Sequence, residues 1–168
     1  RKSTEQKLEN SLSSLRGTLE STADGILVVD MEGQVVTFNR KFLDMWQLPQ
    51  NLIENKHHNK ALGLAKDRLA DPEAFVRRVE ALYNSPEKES WDTLAFRDGR
   101  IIERYSLPQR SGGNIVGRVW SFRDITQRRR AEDRLAFLAY HESLTELPNK
   151  TAFVERLESA IHQSDAED

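Results

Sequence analysis

The sequence predicts an α+β fold: a five-stranded antiparallel sheet with helices on one face, flanked by an N-terminal and a C-terminal helix. Three observations predict it. Apolar runs of strand and helix length follow one another in the order β-β-α-α-β-β-β. Asp98-Gly99 and Ser111-Gly112-Gly113-Asn114 are turn signals joining the last three of those strands. Both ends of the chain are charged and helically patterned. Mean hydropathy is -0.67 and charged residues make up 31% of the 168 residues. That is polar for one compact globule and fits long solvated helices attached to a smaller core.

Lys2 to Glu20 contains no Pro and reads as the entering helix. Leu8, Leu12, Leu15 and Leu19 are spaced four, three and four, the seam of a short two-stranded coiled coil. A lone helix of this kind buries too little apolar surface to fold by itself. It needs a second copy or the domain that follows, and both readings stand.

Ile26-Leu27-Val28-Val29 is a buried strand, Asp30-Met31-Glu32-Gly33 a turn, and Val35-Val36-Thr37-Phe38 the returning strand. Asn39 occupies an N-cap position ahead of Phe42, Leu43 and Trp46 at helical spacing, and Pro49 stops that helix. Residues 50–68 are polar and mixed, which predicts short helical turns. Asp71-Pro72-Glu73 starts the next helix with a capping carboxylate, a first-turn Pro and a first-turn negative charge. Phe75, Val79 and Leu82 are its buried stripe, and Asn84-Ser85-Pro86 ends it.

Trp91 to Phe96, Ile101 to Leu107 and Ile115 to Phe122 are the remaining strands. Their apolar residues fall on both parities, so both faces of the sheet are expected to be covered in part. From Thr126 the chain is helical again, and Arg128-Arg129-Arg130 beside Glu132 and Asp133 reads as a solvated helix face. After Leu144 to Asn149 a last helix carries Phe153, Leu157 and Ile161 at four-residue spacing. One helix enters the domain and one leaves it.

Composition removes several function classes. A net charge of -2 gives no field that would gather nucleic acid or an anionic membrane. The chain has no cysteine, which excludes disulfides, thiolate metal sites, cysteine nucleophiles and cysteinyl-flavin photochemistry. No apolar run approaches the roughly 20 residues of a membrane-spanning helix, and no secretory signal opens the chain. A cytoplasmic segment of something longer is expected, with no direct membrane contact of its own; an anchor further upstream in the parent protein stays open.

Ala23-Asp24-Gly25-Ile26, Asn39 at the strand-to-helix junction, Asp98-Gly99-Arg100, and Gly117-Arg118-Val119 running into Arg123-Asp124-Ile125-Thr126 together resemble a PAS/PAC sensor domain over about residues 17 to 126. Further on, Leu138-Ala139-Tyr140-His141-Glu142-Ser143-Leu144-Thr145-Glu146-Leu147-Pro148-Asn149-Lys150 looks like the opening of a GGDEF (diguanylate cyclase) domain. That family usually has Asp, Gly and Arg where this chain has Glu142, Glu146 and Lys150. The resemblance implies four segments: an amphipathic or coiled-coil helix over 1–20, a sensor domain over 21–126, a signalling helix over 127–140, and a truncated GGDEF start over 141–168. It also implies a homodimer, a GGDEF output domain further along the same chain, and cyclic-di-GMP signalling.

Catalytic residues are not expected, because the segment lacks the motifs that would hold Mg²⁺ against a triphosphate. No metal site is expected either. Trp46, Trp91, Arg104 and Trp120 are the candidates for lining a ligand cavity. Strand alternation puts Ile102, Arg104 and Ser106 on one face. If that face looks inward, Arg104 can clamp a carboxylate; if outward, it pairs with a neighbouring acid. In the haem-binding relatives an axial His typically lies on the helix that here runs from Asp71 to Tyr83, which has none. His57 and His58 sit in a polar stretch and read as solvated histidines, with metal ligation as the rival. The cofactor is therefore unknown, and a non-covalent small organic ligand stays open. Asp124, Ile125 and Thr126 are the expected signal relay between the last strand and the leaving helix. A ligand-free dimerisation scaffold, and the regulatory part of a cyclic-di-GMP phosphodiesterase, are the alternative functions.

Overall fold

The computed structural model describes residues 2–51 and 58–164. The elements are α1 (Lys2–Glu20), β1 (Gly25–Asp30), β2 (Val35–Phe38), α2 (Arg40–Trp46), α3 (His58–Asp67), α4 (Pro72–Tyr83), β3 (Ser90–Ala95), β4 (Ile101–Ser111), β5 (Asn114–Asp124), α5 (Thr126–Tyr140) and α6 (Lys150–Ser164). They divide into two compact units, one up to Ile125 and one from Thr126 onward.

In the first unit the five strands form one sheet of order β2-β1-β5-β4-β3, antiparallel throughout. The strand made last therefore lies in the middle. β4 and β5 each run to 11 residues, longer than hydropathy alone suggests. Antiparallel pairing carries them through Gln109 and Arg110 with a register shift there, a bulge that lets an irregular stretch stay paired. Gly117 is what allows β1 and β5 to approach. A β-carbon at this position would stand 2.2 Å from the Val29 carbonyl oxygen.

Local chemistry sets the helix ends. Asp71 accepts a bond from the Ala74 N–H at 2.9 Å and Pro72 opens α4. α2 ends before Pro49, at Gln47, whose φ of 50° turns the chain left-handed. Between 58 and 67 the chain forms one ten-residue helix where the polar composition predicts only short turns. Its Ala65 is buried among the core residues, so tertiary packing overrides a weak local pattern.

The core fills the space between the sheet and α2, α3 and α4. Trp46 is its centre, with ring centroids of Phe96, Phe122 and Phe75 at 5.0, 5.4 and 6.0 Å. The opposite sheet face is covered only in part: Val28 is buried while Trp91 and Tyr105 are exposed. Leu8, Leu12 and Leu15 of α1 are exposed and Leu19 is half-buried.

Asn39 joins three elements and is fully buried. Its Oδ1 accepts from the Ile26 and Phe42 N–H groups at 2.8 and 3.0 Å. Its Nδ2 donates to the Leu19 and Asp24 carbonyls, both at 2.9 Å, and to Thr22 Oγ1 at 3.1 Å. The residue that caps α2 thus also holds the last turn of α1.

In the second unit Asn149 caps α6 through the Ala152 N–H at 3.0 Å and donates to the Ala139 carbonyl at 2.9 Å. Glu146 adopts φ 57°, the left-handed conformation that suits glycine. Arg128–Glu132 and Arg129–Asp133 are i,i+4 ion pairs on exposed side chains, as expected of a solvated helix face. No helix among the described residues is long and apolar enough to cross a membrane.

Candidate functional site

Between the sheet and its helices lies a cavity of about 330 Å³, within the range of small-molecule sites. β1 contributes Leu27 and Val29, α2 contributes Phe42 and Trp46, α3 Leu62 and Ala65, α4 Phe75, Val79 and Tyr83, β4 Arg104, and β5 Trp120 and Phe122. Glu32, Gly33 and Gln34 of the β1–β2 turn complete one side. The helical residues sit at spacings of three and four and the strand residues at spacings of two, so each element turns one periodic stripe toward the cavity. No histidine is among these lining residues. His57 and the side chain of His58 lie outside what the structure describes.

Arg104 points inward and is nevertheless paired with a neighbouring acid, a combination that the two sequence alternatives keep apart. It is on the inner face with Ile102 and Ser106, only 1% exposed, and it lines the cavity. It is also paired: Nε and Nη2 bind the two oxygens of Asp92 at 2.8 and 2.6 Å. The guanidinium is packed between aromatic faces, 5.0 Å from the Phe75 centroid and 5.3 Å from that of Trp120. Nη1 remains without a hydrogen-bond partner, as does Trp46 Nε1. Arg68 Nε and Arg100 Nη2, on residues that do not line the cavity, are unpartnered too, each such donor costing roughly 1–3 kcal/mol.

Trp46 and Trp120 line this cavity; Trp91 does not. It is 63% exposed and pairs with Tyr105, on the parity opposite to Asp92 and Arg104. It is one of the candidates for the cavity wall, but the hairpin register turns it to the outer face. The same register carries the signal that sequence reasoning overlooked. With the turn centred on Asp98, Asp92 falls directly opposite Arg104, an acid facing a base across two strands. Phe75 and Val79 are legible in the sequence only as helix stripe, not as cavity wall, and Tyr83 is in neither reading.

The second buried arginine is Arg118, which donates from Nη1 to Ser106 Oγ at 3.0 Å and from Nη2 to the Pro86 and Lys88 carbonyls at 2.9 Å. It ties the α4–β3 connection to the central strand. Burial pulls its pKa below the ordinary arginine value, and the neighbouring Tyr83 partly opposes this. Burial in turn raises the Tyr83 pKa, which keeps the phenol protonated.

Of the expected relay residues, Asp124 ends β5 opposite Ile102 and is exposed, while Ile125 and Thr126 are buried. The Ile125 N–H donates to the Ile101 carbonyl at 3.0 Å, so pairing persists to the last residue of the first unit.

The comparisons with known proteins agree on the fold. A PAS domain of an HTR-like protein from Haloarcula marismortui superposes with a TM-score of 0.53 at 21% identity, covering 74% of this chain and 100% of that one. The PAS domain of BvgS from Bordetella pertussis gives 0.53 at 18% identity, covering 77% and 97%. Among curated proteins, the cyclic di-GMP phosphodiesterase PdeR of Escherichia coli (strain K12) is 26% identical over 163 residues, covering 94% of this chain. The chain spans 24% of that relative's length. A model of the PAS fold matches residues 19–133, which takes in the whole sheet, its covering helices and the cavity between them. The chain belongs to the PAS fold family of sensor modules.

Proposed function

We propose that this chain is the sensory module of a cytoplasmic cyclic-di-GMP signalling protein, in which a small molecule in the PAS cavity governs a GGDEF-type output domain further along the chain. The observation that carries the cavity half is the space of about 330 Å³ between the sheet and its helices, walled mainly by Leu27, Val29, Phe42, Phe75, Val79 and Phe122, a size and lining that suit a small organic molecule.

The output half has two supports. The alignment to the phosphodiesterase outruns the family match at 19–133 and so includes part of the segment beyond Asp133. Within that segment, the position where the GGDEF pattern carries Gly is Glu146, the residue with φ 57°. Leu144, Leu147, Phe153, Leu157 and Ile161 are all exposed, and an apolar set of this size fits the edge of a larger domain. Asp124, Ile125 and Thr126 carry the signal from the central strand into α5. A homodimer seamed by Leu8, Leu12, Leu15 and Leu19 sets the geometry of the two output domains.

A second reading makes the output hydrolytic, and the likeness to a cyclic di-GMP phosphodiesterase favours it. Native mass spectrometry of the purified protein tests the sensory reading. A retained small molecule released on denaturation is the expected result. A mass equal to the sequence alone, unchanged by added metabolite extract, would leave a dimerisation scaffold. Assaying the parent protein for cyclic-di-GMP synthesis and hydrolysis, with and without the released molecule, separates the two outputs.

A further inference from the structure

We propose that Tyr83 orients the ligand of the cavity. The molecule is a one-ended amphiphile, with its apolar body between the sheet and α4 and its single polar end at the mouth, on the Tyr83 hydroxyl. The inference rests on the reading of the cavity as a sensory site and names the class of molecule and the residue that holds it.

The wall divides by depth. Phe42, Trp46, Trp120 and Phe122 are buried, whereas Glu32, Gln34 and Leu62 of the same lining are exposed, so the mouth opens beside the β1–β2 turn. The inner wall presents carbon. Arg104 and Trp46 are only 1% and 2% exposed, so their polar atoms are sealed within the packing and offer the space nothing. Polar chemistry is confined to the mouth.

The turn at the mouth has spent its own backbone groups. Asp30 Oδ1 accepts from the Glu32 and Gln34 N–H groups at 3.0 and 2.8 Å. The Asp30 carbonyl accepts from the Gly33 N–H at 3.1 Å, and the Asp30 N–H donates to the Gln34 carbonyl at 2.9 Å. Tyr83 is different. It ends α4 half-buried on the cavity wall, and its hydroxyl is not sealed in the manner of the Trp46 and Arg104 donors. What acts on that hydroxyl is burial and the charges of Arg118 and Asp30, with no hydrogen bond among the causes. A β-carbon on Gly33 would stand 3.1 Å from the hydroxyl oxygen, so the bare glycine leaves the phenol room to meet a ligand. A phenol both donates and accepts. Phe75 and Val79 lie two turns and one turn before Tyr83 on the same face of α4, so a flat body laid along that stripe brings its end to the hydroxyl. A second polar end would lie against carbon with no partner, which is costly.

The test uses three probes of one outline: 2-methylnaphthalene, 2-naphthalenemethanol and 2,6-naphthalenedimethanol. Calorimetry on the unmodified protein is expected to show the monoalcohol binding about fivefold tighter than the hydrocarbon, the worth of one hydrogen bond. The diol is expected to bind about tenfold weaker than the monoalcohol, because its inner hydroxyl goes unmet. Isotope-filtered NMR is expected to place the carbinol protons of the monoalcohol against the Tyr83 ring. Tyr83→Phe keeps that ring and should erase the advantage of the monoalcohol while 2-methylnaphthalene binds as before. A diol that binds as tightly as the monoalcohol, carbinol protons that touch Phe42 or Phe122 instead, or an advantage that survives Tyr83→Phe each overturns the inference and leaves the sensory cavity standing. If no probe binds, the sensory reading fails and takes the inference with it. The probe comparison and the NMR contacts need no substitution, so an unstable variant does not shield the proposal.

Discussion

Asp24 and Arg123, 99 positions apart, meet in a forked ion pair with bonds of 2.8 and 2.9 Å. The pair closes the sheet where the chain enters β1 and where it leaves β5. Asp24 also accepts from Ser121 Oγ at 3.3 Å. The contact joins the incoming and outgoing ends of the sensor unit directly, without passing through the cavity.

Because Arg123 is more than half exposed, solvent screens the pair. A double-mutant cycle of Asp24→Asn and Arg123→Gln should return a coupling of no more than about 1 kcal/mol. Urea unfolding measures it. A much larger value would mean the pair holds the fold together rather than merely aligning its ends.

Asn39→Ala removes a cap and strands several buried backbone groups at once. The loss is expected to reach ~3 kcal/mol, a cap of about 1 plus unmet buried polar atoms at 1–3. Asn39→Asp keeps the two bonds accepted by Oδ1 but sets a buried carboxylate oxygen against the Leu19 and Asp24 carbonyls, so at neutral pH it should cost at least as much as Ala and recover as acid protonates it. Hydrogen exchange in the last turn of α1 should quicken in both variants.

Gly117→Ala forces a methyl group into the Val29 carbonyl. Neither strand can yield without breaking the β1–β5 pairing, so a loss of ~3 kcal/mol or more is expected. A thermal scan reads it directly. A near-neutral result would show that the sheet is looser at its centre than its register implies.

Glu146→Gly relieves a left-handed backbone and should stabilise the C-terminal unit by up to about 1 kcal/mol. Glu146→Val should do the reverse, since a β-branched residue tolerates that region worst. Helix content of α6, followed on heating, distinguishes the two.

Tyr83 makes the fold sensitive to alkali. Burial, with help from Asp30 and against Arg118, raises its pKa above the usual 10.0. The unfolded chain therefore ionises first: the contribution is complete below pH 10.0 and is lost as pH rises through the higher folded value. Tyr83→Phe should flatten the fall in stability on that side. Ultraviolet titration should also show Tyr105 ionising late, because its hydroxyl donates to Glu89 and burial adds to the effect.

The sheet was readable in outline because strand alternation and turn residues are local signals. Asp71-Pro72-Glu73, Asn39 and Asp98-Gly99 each announce an element boundary through their own chemistry. The α3 helix was not readable, since its reason for existing is the core that Ala65 enters. Arg104 could be grouped with Ile102 and Ser106 but not turned inward or outward, because that depends on which sheet face the helices cover, and its partner Asp92 becomes visible only through the hairpin register. Trp91, a candidate for the cavity wall, is exposed because its strand's parity, set by the pairing with Tyr105, puts it on the face away from Arg104. The multiple duties of Asn39 involve partners up to 20 positions away, beyond what any local pattern records.

The central place of β5 has a consequence for how the molecule comes into being. As the chain leaves the ribosome, β1–β2 and β3–β4 are two hairpins with no common edge. Only residues 114–124 bridge them. A chain that stops between Ser111 and Asn114 holds two separate hairpins rather than a smaller sheet. Completion of the sheet and the start of α5 are thus nearly the same event in synthesis, so a chain that has just begun that helix has only just closed the sheet that walls the cavity.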